Sequence, residues 1–476
     1  MSIIIPANSA AGGGYDVANS CRFNSGSSDY LTRTPSSATN QDLWSLSFWI
    51  KRSNLGSYQS IYGVYANSTN QETLAFDDSD RLYWQLYQSS AVKGQLTTNR
   101  VFRDVSAFYN ILIVYDSANG TAGNRMRMYI NGVEETSFAT DTNPSSGQDS
   151  QWNSTTAHTI GRINTTNYIN GYISELVAVD GTALSPTDVG EFDEDSGIWK
   201  PKSVSGLTFG TNGFYLDFEN SGALGADLSG NSNNFTVNNL TAIDQSTDTC
   251  TNNFATWNSL DQYYFWGAAA STNITNGNTI VQSGNSQYAY IPTTIGVNSG
   301  KYYWEIKPSA RTGGTGDLLV GVTSTQSVST GQTLGYHPND VAYRENGKKK
   351  INNSDTDYGN SYTLNDIIGV AMDLDNNKLY FSKNGTWQNS GNPESGATGT
   401  GAISLTASAS TGLGNYFASV AYVSGSYNAT FQANFGSPAF AISSGNADGN
   451  GYGNFEYAVP SGYLSLNTKN LSEVLS

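Results

Sequence analysis

Two cysteines in 476 residues, Cys21 and Cys250, are too few for a disulfide framework or a zinc site. Two buried thiols are the plain expectation, and a single clasp between them is the alternative. No segment approaches the roughly 20 consecutive apolar residues that span a bilayer, which argues against membrane insertion. The opening MSIIIPANSAAGGG has an apolar run too short for a secretory core and lacks a basic flank. Basic residues are scarce, 23 against 39 acidic, and the net charge of -16 repels polyphosphates at long range, so nucleic acid is not expected as a partner. The one basic run, Lys348 to Lys350, follows Asn346-Gly347 and reads as a solvated hairpin tip. Histidine is nearly absent: His158 and His337 stand in separate blocks with no G-x-S-x-G elbow, which leaves a Ser-His-Asp triad without support. No phosphate-cradling glycine motif occurs either. The densest acidic stretch, EFDEDSG at Glu191 to Gly197, follows a strand and continues a helical turn, so it reads as solvated surface and not as the carboxylate pair of a glycosidase. The chain is therefore expected not to be an enzyme, and the lack of heptads excludes a coiled-coil shaft.

What is present is the chemistry of strands and turns. Fifty glycines, 30 tyrosines and 12% aromatics stand beside only 13% charged residues. Long helices want the opposite balance. In SLSFWIKRS, Leu46, Phe48 and Ile50 alternate with Ser45, Ser47, Trp49 and Lys51, the period of a half-buried strand with a tryptophan on its polar side. NILIVYDS is a continuous apolar run of the kind buried on both faces, RMRMYINGV turns at Asn131-Gly132, and YISELVAVDG alternates before an Asp-Gly turn. Ser185, Pro186 and Asp188 predict a short helical turn. Further on, GKYYWEIKPS, DLLVGVTS, DIIGVAMDLDNNKLYFSKNGT and YNATFQANFG are strands of a second block, followed by an irregular tail. The fold class is all-β: two antiparallel β-sandwich, jelly-roll-like domains joined by an Asn/Gly/Ser-rich, partly β connecting region. The expected divisions are 1–29 as an N-terminal extension or assembly strap, 30–199 and 300–476 as the sandwiches, and 200–299 as the connection.

Residues 30–199, with LSFWIKRS, RMRMYINGVEE, IGRI and NGYISELVAVDGTALSPTDVGEF, resemble a laminin-G or concanavalin-A-like lectin domain. Residues 300–470, with GKYYWEIK, LVGVTS, IGVAMDLDNNKLYFSKNGTW, NFG and PSGYLSLNT, resemble a SPRY (B30.2) domain. The combination, including FNSGSSDYLTRTPSS and FDEDSGIWKPK, is similar to virion proteins of tailed phages of marine bacteria. That resemblance implies a location on the virion, at the surface of tail or head, as a tail fibre, tail knob or head projection. The implied partners are other virion proteins, further copies in a homo-oligomer, and a host cell-surface glycan or protein. A structural decoration or cement protein and, further off, a polysaccharide depolymerase are the other roles it leaves open.

Sugars bind by stacking on aromatic rings while amides take their hydroxyls. The residues singled out for this are Trp49, Trp84, Tyr87 and Trp152 in the first sandwich and Tyr336, Tyr343, Tyr358 and Trp387 in the second. For Trp49 the competing expectation is cover by a neighbouring domain or a sister subunit. Some laminin-G-like domains hold calcium in rim loops, and Asp77, Asp78 and Asp80 of FDDSDR are the candidate ligands, although the same cluster makes a good hairpin turn.

Overall fold

A computed structural model describes residues 14–261, 274–284, 290–313, 317–326, 331–423 and 427–474. The described residues divide after Asn253 into two compact units, each built on a pair of antiparallel sheets, with a separate two-stranded ribbon, Gly190–Phe192 against Trp199–Pro201, in the first. In the first unit, sheet I runs in the order Val133–Glu134, Met126–Ile130, Tyr109–Asp116, Leu43–Arg52, Gly171–Asp180, Ser20–Phe23 and Gln245–Ser246. Phe214–Leu216 also pairs with Gly171–Asp180. Sheet II runs Phe138–Thr142, Ala91–Val101, Arg81–Gln88, Asn70–Phe76, Gln59–Asn67, His158–Ile160, Tyr30–Arg33 and Thr236–Asn238. The core lies between them: Leu46, Phe48 and Ile50 from sheet I meet Tyr62, Leu74, Leu82, Trp84 and Leu86 from sheet II.

The local signals are met. Tyr109–Asp116 is buried on both faces, and Met126–Ile130 turns back at Asn131-Gly132, where both residues have positive φ, 48° and 78°. That pair of angles is the two-residue hairpin geometry for which Asn-Gly is suited. Glycine is required at 132 for a second reason, because the Trp199 ring lies 2.3 Å from where a Cβ would stand. Pro186–Asp188 forms one 3-10 turn, with the Asp188 carboxylate accepting from the Ser185 backbone N–H.

The outer face of sheet I differs from expectation. Ser45, Ser47, Trp49 and Lys51 alternate away from the core as predicted, yet all are buried, with Trp49 only 1% exposed. The chain itself covers them. Val17, Trp199 and Cys250 pack on Trp49, Phe108 and Tyr172, while Leu184, Val189, Val204 and Phe209 pack on Leu112, Val114, Val177 and Val179. Lys51 reaches Asp248 at 2.8 Å and Asn253 at 2.6 Å, an ion pair out of water whose geometry offsets the loss of hydration. Trp49 thus needs neither a glycan nor a sister subunit to cover it.

From the expected 1–29 extension, Ser20–Phe23 is a strand inside sheet I. From the expected 200–299 connection, Phe214–Leu216, Thr236–Asn238 and Gln245–Ser246 extend the same sandwich, while Ile274–Thr275, Ile280–Gln282 and Tyr290–Val297 are strands of the second unit. Residues 1–13, on which the strap expectation partly rests, lie outside the described residues. Cys21 and Cys250 are buried free thiols belonging to the two opposite faces of sheet I.

One consequence is testable by truncation. A fragment ending at Trp199 loses Val204, Phe209, Cys250 and three short strands, which uncovers an apolar face. It is expected to aggregate, whereas a fragment ending at Asn253 melts cooperatively in circular dichroism. A cooperative melt of the shorter fragment would show that the cover is dispensable.

The second unit repeats the plan. One sheet runs Ile274–Thr275, Ile280–Gln282, Ala429–Asn434, Lys301–Arg311, Ile368–Asp373, Lys378–Lys383 and Thr386–Trp387, and Ile403–Ser404 also pairs with Lys378–Lys383. The other runs Tyr290–Val297, Tyr416–Val423, Asp317–Thr323, Val341–Arg344, Lys348–Ile351 and Ser354–Asp357. Tyr302, Trp304 and Ile306 enter the core. Tyr303 faces outward beneath Phe455 and Tyr463 of the irregular tail, which ends in a helix at Thr468–Val474 that sequence patterning does not anticipate. Lys348–Lys350 begins the hairpin strand Lys348–Ile351, with Lys350 3.9 Å from Asp355 and Lys348 4.0 Å from Asp357. Surface pairs at those distances contribute little.

Candidate functional site

Because the strand period is two, Arg81–Gln88 sends Leu82, Trp84 and Leu86 into the core and turns Tyr83, Gln85 and Tyr87 outward on sheet II. On the neighbouring strand, Ala75, Thr73 and Gln71 stand opposite Tyr83, Gln85 and Tyr87. These outward residues, joined by Tyr58 and by Ile163 and Asn167 of the 161–169 loop, form an open cleft of about 320 Å³ lined by Tyr58, Gln71, Thr73, Tyr83, Gln85, Ile163 and Asn167. The volume is at the lower end of small-ligand sites, roughly 300–1,000 Å³.

The cleft is held from several sides. Tyr58 and Tyr83 meet edge to face, with centroids 5.9 Å apart and planes at 67°. Gln85 Nε2 donates to Gln95 Oε1 at 2.8 Å, and Gln95 Nε2 donates to Thr97 Oγ1 at 3.3 Å, a relay along the sheet. Thr73 Oγ1 donates to the Tyr62 carbonyl. The loop wall is pinned by the Ser60 N–H on the Asn167 carbonyl at 2.8 Å and by Arg162, which lies 3.4 Å over the Tyr30 ring and donates to the Tyr168 hydroxyl. Gly63 permits this close approach, because a Cβ there would come within 2.8 Å of Ile163.

The lining consists of phenols, amides, one hydroxyl and one aliphatic side chain, without a carboxylate or a cation. Burial pushes the Tyr58 phenol up to about 12 and raises Tyr83 as well. Both rings therefore stay neutral and keep an O–H that donates or accepts. The arrangement can stack one flat apolar face and exchange hydrogen bonds with hydroxyls. The lining holds no carboxylate, imidazole, thiol or cation.

The sequence-selected residues scatter around this site. Tyr87 shares the outward face, half-buried, opposite Gln71. Trp84 and Trp152 are core residues: Trp84 Nε1 donates to Glu72 at 3.0 Å, and Trp152 packs between Tyr62 and His158. Their rings are shut off from any ligand. Tyr343 and Tyr358 are core residues of the second unit, packed on each other and on Phe381, with the Tyr343 hydroxyl bonded to the Asn360 carbonyl. Tyr336 and Trp387 are half-buried, Tyr336 edge-on to His337 and Trp387 against Tyr303 and Tyr380. The structure does not gather these four into one site.

Asp77, Asp78 and Asp80 form the hairpin turn between Asn70–Phe76 and Arg81–Gln88. Their carboxylates do not suit calcium. Asp77 binds Arg81 and two backbone N–H groups, Asp80 bridges Arg52 and Arg103 while accepting from the Gly56 N–H, and only Asp78 faces solvent. A cation would have to displace guanidinium groups already within 3.1 Å. Among the described residues no group of three or more His, Cys, Asp or Glu is placed to hold a metal.

The remaining candidates for chemistry are structural. His158 is fully enclosed, its Nε2 accepting from the Asn153 N–H at 3.0 Å and its Nδ1 2.7 Å from the Thr156 carbonyl, and burial lowers its pKa to about 4. Asp193 holds Ser196 and Lys200 at the surface. Glu305 accepts from the Tyr303 hydroxyl, the Asn434 amide and the backbone N–H groups of Glu456 and Tyr457, which binds the tail down.

One of the two sandwiches thus bears a neutral cleft of phenols and amides, and the fold alone does not fix what it does. Residues 25–190 match the concanavalin A-like lectin/glucanases superfamily and residues 301–437 match the SPRY domain. The chain thus carries a concanavalin A-like domain followed by a SPRY domain. Among solved structures it is similar to the SPRY domain of human HERC1, at 19% identity and a TM-score of 0.25, covering 33% of this chain and 87% of that one. It is also similar to a proposed carbohydrate-binding protein of Bacteroides ovatus, at 14% identity and a TM-score of 0.32, covering 47% and 59%. A third likeness is to a SAP-like pentraxin of Limulus polyphemus, at 16% identity and a TM-score of 0.27, covering 36% and 81%. Among curated proteins, the ATP-dependent RNA helicase DDX1 of Xenopus laevis is 39% identical over 93 residues, which is 20% of this chain and 12% of the helicase.

Proposed function

We propose that this protein is a non-enzymatic recognition module that binds glycan in the sheet II cleft, and that it serves at the surface of a tailed-phage virion in attachment to the host. The observation that carries the first part is the pairing of Tyr58 and Tyr83 with the Gln71, Gln85 and Asn167 amides on a concanavalin A-like sandwich, without a carboxylate in the lining. The virion role rests on the sequence resemblance and on the pairing of two recognition folds in one chain. A stacked ring contributes roughly 0.5–1.5 kcal/mol beyond its buried area. Tyr83→Ala should therefore weaken glycan binding by about tenfold, while Tyr83→Phe stays within about threefold, as read by titration calorimetry on the full chain. Equal affinities for all three proteins would move the site elsewhere.

A second reading, a decoration or cement protein, is favoured by the burial of Trp49, Trp84, Trp152, Tyr343 and Tyr358. Cryo-electron microscopy of particles separates the two. A projecting chain with the cleft open to the medium supports attachment, and a chain flat on the shell with the cleft covered supports cement.

A further inference from the structure

We infer that the cleft accepts an uncharged glycan, one or two sugar rings at a time, and turns away chains bearing uronate or sialate groups. The inference rests on the glycan reading above and narrows its ligand to a chemical class.

The first ground is the charge inventory. None of the seven lining residues carries a positive charge. The nearby cations are otherwise occupied or placed. Arg81, which begins the strand of Tyr83, gives its Nε and Nη2 to Asp77 at 2.8 and 2.7 Å. Arg162, next to the Ile163 wall, stacks on Tyr30 and donates to Tyr168. Lys93 shares a strand with Gln95 but does not line the cleft. Asp77, paired with Arg81, adds to the rise that burial gives the Tyr58 phenol. A ligand carboxylate entering here would give up water and meet phenols and amides with no lining cation to pair with, an unfavourable exchange. At longer range, the net charge of -16 opposes the approach of a polyanion.

The second ground is hydrogen-bond polarity. Gln85 gives one Nε2 hydrogen to Gln95 and keeps Oε1 as an acceptor together with its second N–H. The buried Thr73 hydroxyl is already engaged by the Tyr62 carbonyl and the Ser60 hydroxyl. The lining thus presents amides and phenols that both donate and accept. Sugar hydroxyls match both roles, whereas a carboxylate only accepts and leaves the acceptors without a partner.

The third ground is shape. Tyr58 meets Tyr83 edge to face, so the two rings do not form a parallel slot around one sugar. A single stacking face in about 320 Å³ suits a ring or two of a chain lying along the sheet.

The test is a binding panel on the full chain, with laminarin, mannan and dextran as neutral probes and alginate, polygalacturonate and polysialic acid as anionic ones. Each is measured at 50 and 500 mM NaCl, and the neutral arm is repeated with Tyr83→Ala and Tyr83→Phe. The expected result is binding to at least one neutral polymer, changed less than about twofold by salt and weakened about tenfold in Tyr83→Ala, with silent anionic probes. Anionic binding equal to or tighter than neutral overturns the class while leaving glycan recognition standing. Silence across both sets overturns the glycan reading, and the inference with it. Neutral binding that ignores Tyr83→Ala overturns the assignment to this cleft.

Discussion

Glu175→Gln is expected to stabilise the first unit by about 3 kcal/mol at pH 8 and to leave it unchanged at pH 4. Glu175 stands at φ 49° in the bulge between Ser174 and Val177 of sheet I, 6% exposed. Burial lifts its pKa from 4.5 to about 7, and Asp217 and Glu219 push the same way. Its contacts are phenols: the Tyr215 hydroxyl lies 3.0 and 2.9 Å from the two carboxyl oxygens, and the Tyr15 hydroxyl lies 3.0 Å from that of Tyr215. No cation appears among the groups that perturb it. The folded state therefore holds this proton more tightly than the unfolded chain does. The stability so gained is fully present below pH 4.5 and is lost as pH rises to about 7. A shift of that size corresponds to about 3 kcal/mol, since each pKa unit is about 1.4 kcal/mol. The amide carries no charge to bury, and a tyrosine hydroxyl accepts from its NH₂ as readily as it donates to its oxygen. Calorimetry at the two pH values should show the variant melting roughly 6–12 °C higher at pH 8 and level with the native protein at pH 4. Level midpoints at both would mean that the carboxylate is already solvated.

The same substitution one sheet away has the opposite sign. Glu72 is also fully buried and also raised by desolvation, but its oxygens are surrounded by donors. Oε1 accepts from the Tyr62 hydroxyl and Trp84 Nε1, each at 3.0 Å, and Oε2 accepts from the backbone N–H groups of Gln151 at 2.8 Å and Trp152 at 3.2 Å. In Glu72→Gln the new NH₂ must face either two backbone N–H groups or an indole N–H, none of which can accept. A buried donor left without a partner costs about 1–3 kcal/mol. A loss on the order of 3 kcal/mol is expected at pH 8, seen as a lower melting point, and a smaller one at pH 4, where the native carboxyl is protonated and already carries a donor. Since Trp84 and Trp152 are joined through this carboxylate, their fluorescence should redden below the main transition. A variant that melts with the native protein would show that water, and not Glu72, satisfies those groups.

These two glutamates also mark what the sequence discloses. Strand positions and turns are local properties, and alternation in SLSFWIKRS, the run in NILIVYDS and the Asn131-Gly132 pair all correspond to observed elements. Which polar face is wet is not local. Trp49 and Lys51 are dry because Trp199, Asp248 and Cys250 return over them from far along the chain, and no pattern around residue 49 encodes that. The site was half legible. Selecting rings by size picked Trp84, yet its own strand, RLYWQLYQ, places it in phase with Leu82 and Leu86 and sets Tyr83, Gln85 and Tyr87 on the other side. Following the phase in place of the size finds the floor of the cleft. Tyr58, Ile163 and Asn167 arrive from loops, and only the folded chain brings them to it. The aspartate cluster misled because acidic spacing alone does not reveal Arg52 and Arg103, which neutralise Asp80 from elsewhere in the fold.

The strict in-and-out phase of Arg81–Gln88 and its neighbour Asn70–Phe76 also separates two kinds of inheritance. Leu74, Leu82, Trp84 and Leu86 are tied to everything beneath them, while the side chains of Gln71, Tyr83, Gln85 and Tyr87 point away from that core, and those of Tyr83 and Gln85 meet Tyr58 and Gln95 on the outer face. An adapting lineage can exchange the second set one codon at a time, changing what the surface prefers without renegotiating the fold that presents it.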